Sequence, residues 1–176
     1  MRPDKPGMIL TINAGSSSIR FALYTIAKPL KQALLCGKID RIGLPGTNLT
    51  FHDRGADQQK SLDLSHSDHK SAANFLIDWL ENREGFSSVR AVGHRVVHGM
   101  NHTAPELITQ QLLDELHRIM PYDPDHLPSE IELIETFQKR HPKLPQLACF
   151  DTAFHHNMPR VAKLLPIPRR FEAKGI

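Results

Sequence analysis

Cysteine is scarce in this 176-residue sequence: Cys36 and Cys149 are the two present, far apart and in no CxxC spacing. That excludes a disulfide framework and the common structural zinc signatures, and a chain of this length can bury a sufficient core without either. Both are expected to be reduced core thiols in a cytoplasmic protein. Long apolar runs are missing as well. Stretches such as Phe21 to Tyr24 fall far short of the ~20 residues a membrane-spanning helix needs, so no membrane partner is expected. The first residues lack the apolar segment of an export signal. Charge of one sign is also weak, with 22 Lys and Arg against 19 Asp and Glu and a net charge of +3. The densest basic feature is the pair Arg169 and Arg170, which argues against nucleic acid as a partner. There is no internal repeat and no low-complexity tract. What remains, 40% hydrophobic and 23% charged residues, is the balance of an ordinary globular domain.

Periodicity orders the chain. Residues 8 to 14 form a β-rich run that stops at Gly15 and three serines, and from Ile19 the apolar positions Ile19, Phe21 and Leu23 alternate with Arg20, Ala22 and Tyr24; this predicts a β-hairpin. Leu34 to Ile42 and Thr47 to Asp53 read as two further strands around the Gly43-Leu44-Pro45-Gly46 turn, and 54 to 66 as polar loop. Ala72, Phe75, Leu76, Trp79 and Leu80 make one apolar stripe on a helix from Asp68 to Asn82, with Trp79 in the core. A strand over Val89 to Val97, helices over Thr109 to Arg118 and Pro128 to Arg140, and a strand over Leu144 to Phe150 follow. A short helical turn is expected at Thr152 to Met158, and 159 to 176 carries no strong period. The order predicts an α/β domain with a mixed sheet.

Three segments carry chemistry, each at the end of an expected strand, where ligands bind on such sheets. In Asn13-Ala14-Gly15-Ser16-Ser17-Ser18 the amides and hydroxyls of the turn can surround phosphate oxygens, or merely close a hairpin. In Gly93-His94-Arg95-Val96-Val97-His98-Gly99 an arginine interrupts a buried strand and asks for a partner carboxylate or an anionic ligand. His94 and His98 share a strand face without a third ligand, so no metal is assigned to them. In Phe150-Asp151-Thr152-Ala153-Phe154-His155 the carboxylate is either a helix N-cap or a ligand to hydrated Mg²⁺. The pairs His66 with His69 and His98 with His102 read as surface or loop histidines.

Taken in this order, the three segments resemble the acetate kinase family, the carboxylate kinases of the acetate and sugar kinase, Hsp70 and actin superfamily. The resemblance implies a ribonuclease H-like mixed-sheet α/β domain over residues 1 to 176, the N-terminal domain of a carboxylate kinase, with a C-terminal nucleotide-binding domain outside this chain. It implies ATP as co-substrate, Mg²⁺ as cofactor, a short-chain carboxylate or acyl phosphate as the other ligand, and a homodimer for the full-length protein. Asn13 matches the asparagine at the transferring phosphate, and Ser16 and Ser18 match the serines of that turn. Arg95 matches the arginine that binds the carboxylate or acyl phosphate, and Asp151 the catalytic aspartate; Asn13 and Asp151 are the positions nearest the metal. The isolated domain is expected to be inactive. Two departures stand out. The family's Val-His-Gly-Gly reads Val97-His98-Gly99-Met100 here, and its Ala-Pro-Leu-His-Asn-Pro segment reads Met120-Pro121-Tyr122-Asp123-Pro124-Asp125-His126. They leave the acid open between acetate, propionate and related compounds. They also carry the alternative of a non-catalytic anion- or partner-binding domain.

Overall fold

The expected hairpin forms from β1 (Met8–Gly15) and β2 (Ser18–Thr25), antiparallel and in register from Met8 opposite Thr25 to Gly15 opposite Ser18. The computed structural model describes residues 6–27, 29, 32–64 and 68–174, so the reading of His66 as a surface residue lies outside the described residues. Strands β3 (Leu35–Asp40), β4 (Asn48–Asp53) and β5 (Gln58–Asp63) extend the meander antiparallel on the side of β2. On the other side of β1 the pairing turns parallel, to β6 (Val89–Val96) and then β8 (Gln146–Phe150), and the two-residue β7 (Glu106–Leu107) closes that edge antiparallel. The eight-stranded order is β5-β4-β3-β2-β1-β6-β8-β7.

Alternation decides which face of this sheet is covered. Leu10, Ile12 and Ala14 of β1 and Ile19, Phe21 and Leu23 of β2 are buried with the inner face of helix α1 (His69–Glu81). Trp79 of α1 lies edge-on to Phe21 and Phe51 with ring centroids 5.5 and 4.8 Å apart, the core position its spacing predicts. Helix α3 (Leu127–Arg140) spans two clusters: Leu133 and Phe137 join the first, while Leu127, Ile131 and Ile134 pack with Val96, Ala148, Phe150 and helix α2 (Gln110–Ile119). Asp68 caps α1 by accepting from the Ser71 N–H at 2.7 Å, and Thr109 caps α2. Pro128 sits in the first turn of α3, where a missing N–H costs nothing.

Three expectations need correction. Residues 58–63 are an edge strand rather than loop; every residue of β5 is exposed, so neither face leaves an apolar period, and the turn before it is built by Asp53 accepting from the N–H groups of Gly55 and Ala56. The region 159 to 176 contains two single helical turns, α5 (Arg160–Lys163) and α6 (Arg169–Glu172), after α4 (Asp151–Phe154). Cys149 is exposed and Cys36 half-buried, so neither is a core thiol; Cys149 falls on the face of β8 that no helix covers. His102 lies in a loop, as expected, and there its ring stacks on Phe150 at 4.8 Å and its Nδ1 pairs with Glu106 at 2.6 Å.

Candidate active site

Sheet register places the chemistry. Asn13 of β1 pairs with Arg95 of β6, and Arg95 pairs with Cys149 of β8. Neighbouring parallel strands therefore bring these residues into one row on the uncovered face, and Asp151 follows two positions after Cys149, in the first turn of α4. Its N-cap is Phe150, without a side-chain cap bond, so the N-cap alternative for Asp151 falls away.

Arg95 joins the row into one unit. Its Nε lies 3.0 Å from each carboxylate oxygen of Asp151, its Nη2 also donates to Asp151, and its Nη1 donates to Asn13 Oδ1 at 3.1 Å. Of the five N–H groups of a guanidinium, two remain for another acceptor. The bond to Asp151 holds Arg95 above its usual range, against a smaller opposing effect of burial, so the guanidinium is permanently charged. Both side chains keep solvent contact, 41% for Arg95 and 37% for Asp151, which leaves room for a ligand to reach them. A cavity of about 490 Å³ opens here, lined by Asn13, Arg20, Gly93, Arg95, Asp151 and Phe154 among others.

Beneath Arg95 the strand is anchored in the core. His94 is 3% exposed, donates from Nε2 to Gln146 Oε1 at 2.7 Å and meets the Phe137 ring edge-on. Burial depresses it to about 4, so it is neutral and structural. Beyond Arg95 the chain is tied twice: the Gly99 N–H donates to Thr152 Oγ1 at 3.1 Å, and the Val97 N–H meets the carboxylate of Glu130. A Cβ on Gly99 would lie 2.3 Å from the Phe150 ring, so only glycine allows this approach. Met100, where the family motif has its second glycine, adopts φ +48°.

The structure thus brings together Asn13, Arg95 and Asp151 but not the serines. Ser16 and Ser18 do not line this cavity. Ser16 sits at the hairpin tip, where its carbonyl accepts from His69 Nε2 at 2.5 Å, and it borders a second cavity with His117 and Met120. Two residues escaped the sequence reading. Arg20 pairs across the hairpin with Asn13 and lines the same cavity; the symmetry of the hairpin about its serine tip was the available signal. Glu130, 2% exposed, is the other.

Oxygen donors only, the Asp151 carboxylate and Asn13 Oδ1, are what hydrated Mg²⁺ takes from a protein, with water and phosphate oxygens completing the octahedron. Among the described residues no cluster of three or more His, Cys, Asp or Glu could hold a metal by itself. The donor set therefore fits an ion bound through one carboxylate and a phosphate substrate.

The sequence model described as the acetokinase family matches residues 8–176. An acetate kinase of Rhodopseudomonas palustris is 37% identical over 172 residues, covering 96% of this chain and 43% of that protein. An acetate kinase of Chromobacterium violaceum is 40% identical over 163 residues, covering 92% and 40%. Among solved structures, a propionate kinase from Francisella tularensis superposes with a TM-score of 0.81 at 32% identity, covering 96% of this chain and 43% of that one. The Porphyromonas gingivalis acetate kinase gives 0.80 at 26% identity, with the same coverage. The mixed-sheet fold is that of the matched part of these kinases, and the chain spans less than half the length of the relatives it matches.

Proposed function

Because the chain belongs to the acetokinase family, we propose that the whole protein transfers the γ-phosphoryl group of ATP to a short-chain carboxylate. A carboxylate oxygen attacks the γ-phosphorus, the bond to the β-phosphate bridging oxygen breaks, and ADP and the acyl phosphate leave. The observation that carries this reading is the single guanidinium of Arg95, bound to both Asn13 and Asp151 at the ends of adjacent parallel strands.

In this reading Arg95 offers its two remaining N–H groups to the acid or to the transferring phosphoryl oxygens, where charge develops. Asp151 and Asn13 fix the plane of that guanidinium beforehand, so that no reorganisation is needed during transfer. Asp151, with Asn13 beside it, is also where Mg²⁺ would be held, and the ion would neutralise phosphate charge. Arg20, across the hairpin from Asn13, adds positive charge on the same cavity, whereas Ser16 and Ser18, matched to the phosphate turn by resemblance, do not line it. The adenosine site is assigned to a C-terminal nucleotide-binding domain outside these 176 residues, and the 176-residue chain alone is expected to be inactive. The full-length protein is assigned to the cytoplasm and to a homodimer. A non-catalytic anion-binding role is the competing reading, favoured by Met100 at a glycine-like φ and by Asp123, which pairs with His126 at 2.9 Å instead of presenting a histidine.

The test is acyl phosphate formation by the whole protein with ATP, Mg²⁺ and acetate, propionate or butyrate, trapped as the hydroxamate. Product that falls at least roughly a hundredfold in Asp151→Ala is expected. Folded protein that yields none with any acid returns the chain to the binding role.

A further inference from the structure

Glu130 is a buried carboxylate that the site's chemistry does not use. It projects from the first turn of α3, is 2% exposed, and places both oxygens 3.2 Å from the backbone nitrogen of Val97. Val97 follows the last residue of β6, where the ladders to β1 and β8 have already ended at Arg95 and Val96. Its N–H has no strand partner, and leaving the N–H of this half-buried residue unpaired would be costly. Two residues upstream stands Arg95, and two downstream Gly99 is tied to the residue after Asp151. A neutral side chain could fill this space. A carboxylate there spends burial free energy to hold one amide.

We propose that Glu130 is a positioning residue for Arg95: its carboxylate captures the Val97 N–H and fixes the end of β6 from which the guanidinium projects. The inference rests on the proposed function for what Arg95 then does. Burial pushes Glu130 up to about 7, with Asp123 adding to the rise and Val97 N–H, Arg95 and His126 opposing it. The ionised form, present above that pH, accepts the amide more strongly than the protonated acid does. The grip on β6 therefore tightens as pH rises through neutrality.

Amide NMR on the 176-residue chain tests the geometry without reference to catalysis. The Val97 amide shift follows a titration with a midpoint near 7, and that titration disappears in Glu130→Gln. A Val97 amide that does not titrate, or that titrates unchanged in the variant, overturns the proposal. In the whole protein, with acetyl phosphate and ADP as substrates, Glu130→Gln raises KM for acetyl phosphate about tenfold at pH 8 with a smaller change in kcat. It also removes the inflection near neutrality from the profile of kcat/KM against pH. A profile that keeps its inflection in the variant contradicts the positioning role. A wild-type protein without turnover sinks the proposed function instead, and the amide titration still decides the role of Glu130.

Discussion

At the scale of single residues, the site depends on positions whose neighbours leave little choice. Met100 carries a side chain at φ +48°, a conformation that costs a non-glycine residue about 1–2 kcal/mol. Met100→Gly is expected to raise the free energy of unfolding by ~0.5–1 kcal/mol once the greater freedom of unfolded glycine is offset, read by urea denaturation. Gly99→Ala is expected to do the opposite, by about 1–3 kcal/mol, because its Cβ would meet the Phe150 ring. Asn13, Arg95 and Asp151 could be read directly from the sequence because each polar residue ends or interrupts an apolar strand, a place where burial demands a reason. Glu130 could not: an acid in the first turn of a proline-led helix is routine, and only the packing of α3 across the end of β6 makes it a buried one.

Elements were legible in proportion to how asymmetrically they are buried. Helix α1 has one apolar stripe and an aspartate cap, and both its extent and the core position of Trp79 follow from spacing. Replacing that cap, Asp68→Ala, is expected to cost about 1 kcal/mol in thermal or chemical denaturation without altering ligand binding at the sheet ends. Strand β5, exposed on both faces, offers no period and reads as loop; its pairing to β4 comes from the hairpin turn, not from its own sequence. The serines show the converse limit. Their turn was identified correctly, yet a tight hairpin places Ser16 at a tip facing His69, away from the cavity that holds Arg95.

At the scale of the whole molecule, two buried titrating groups oppose each other. His94 titrates at about 4 when folded and 6.5 when unfolded, so between those values the unfolded chain holds the extra proton and stability rises with pH. Glu130 titrates at about 7 when folded and 4.5 when unfolded, so there the folded chain holds the extra proton and stability falls with pH. Between pH 4.5 and 6.5 the two slopes largely cancel. Glu130→Gln is expected to expose the His94 contribution, a loss of roughly 1.4 kcal/mol per pH unit on acidification across that range, measured by denaturation at several pH values. A variant with the wild-type profile would mean that Glu130 titrates near its ordinary value. The uncovered sheet face, with its row of Asn13, Arg95 and Cys149 leading to Asp151, is where the fold and the proposed chemistry meet. The most direct measurement is the hydroxamate assay on the whole protein with Arg95→Lys, which keeps the charge but loses the planar fork that Asn13 and Asp151 hold. A fall in kcat of roughly a hundredfold, with the protein still folded, is the outcome the convergence of these residues requires. Turnover by the lysine variant at the wild-type rate would contradict it.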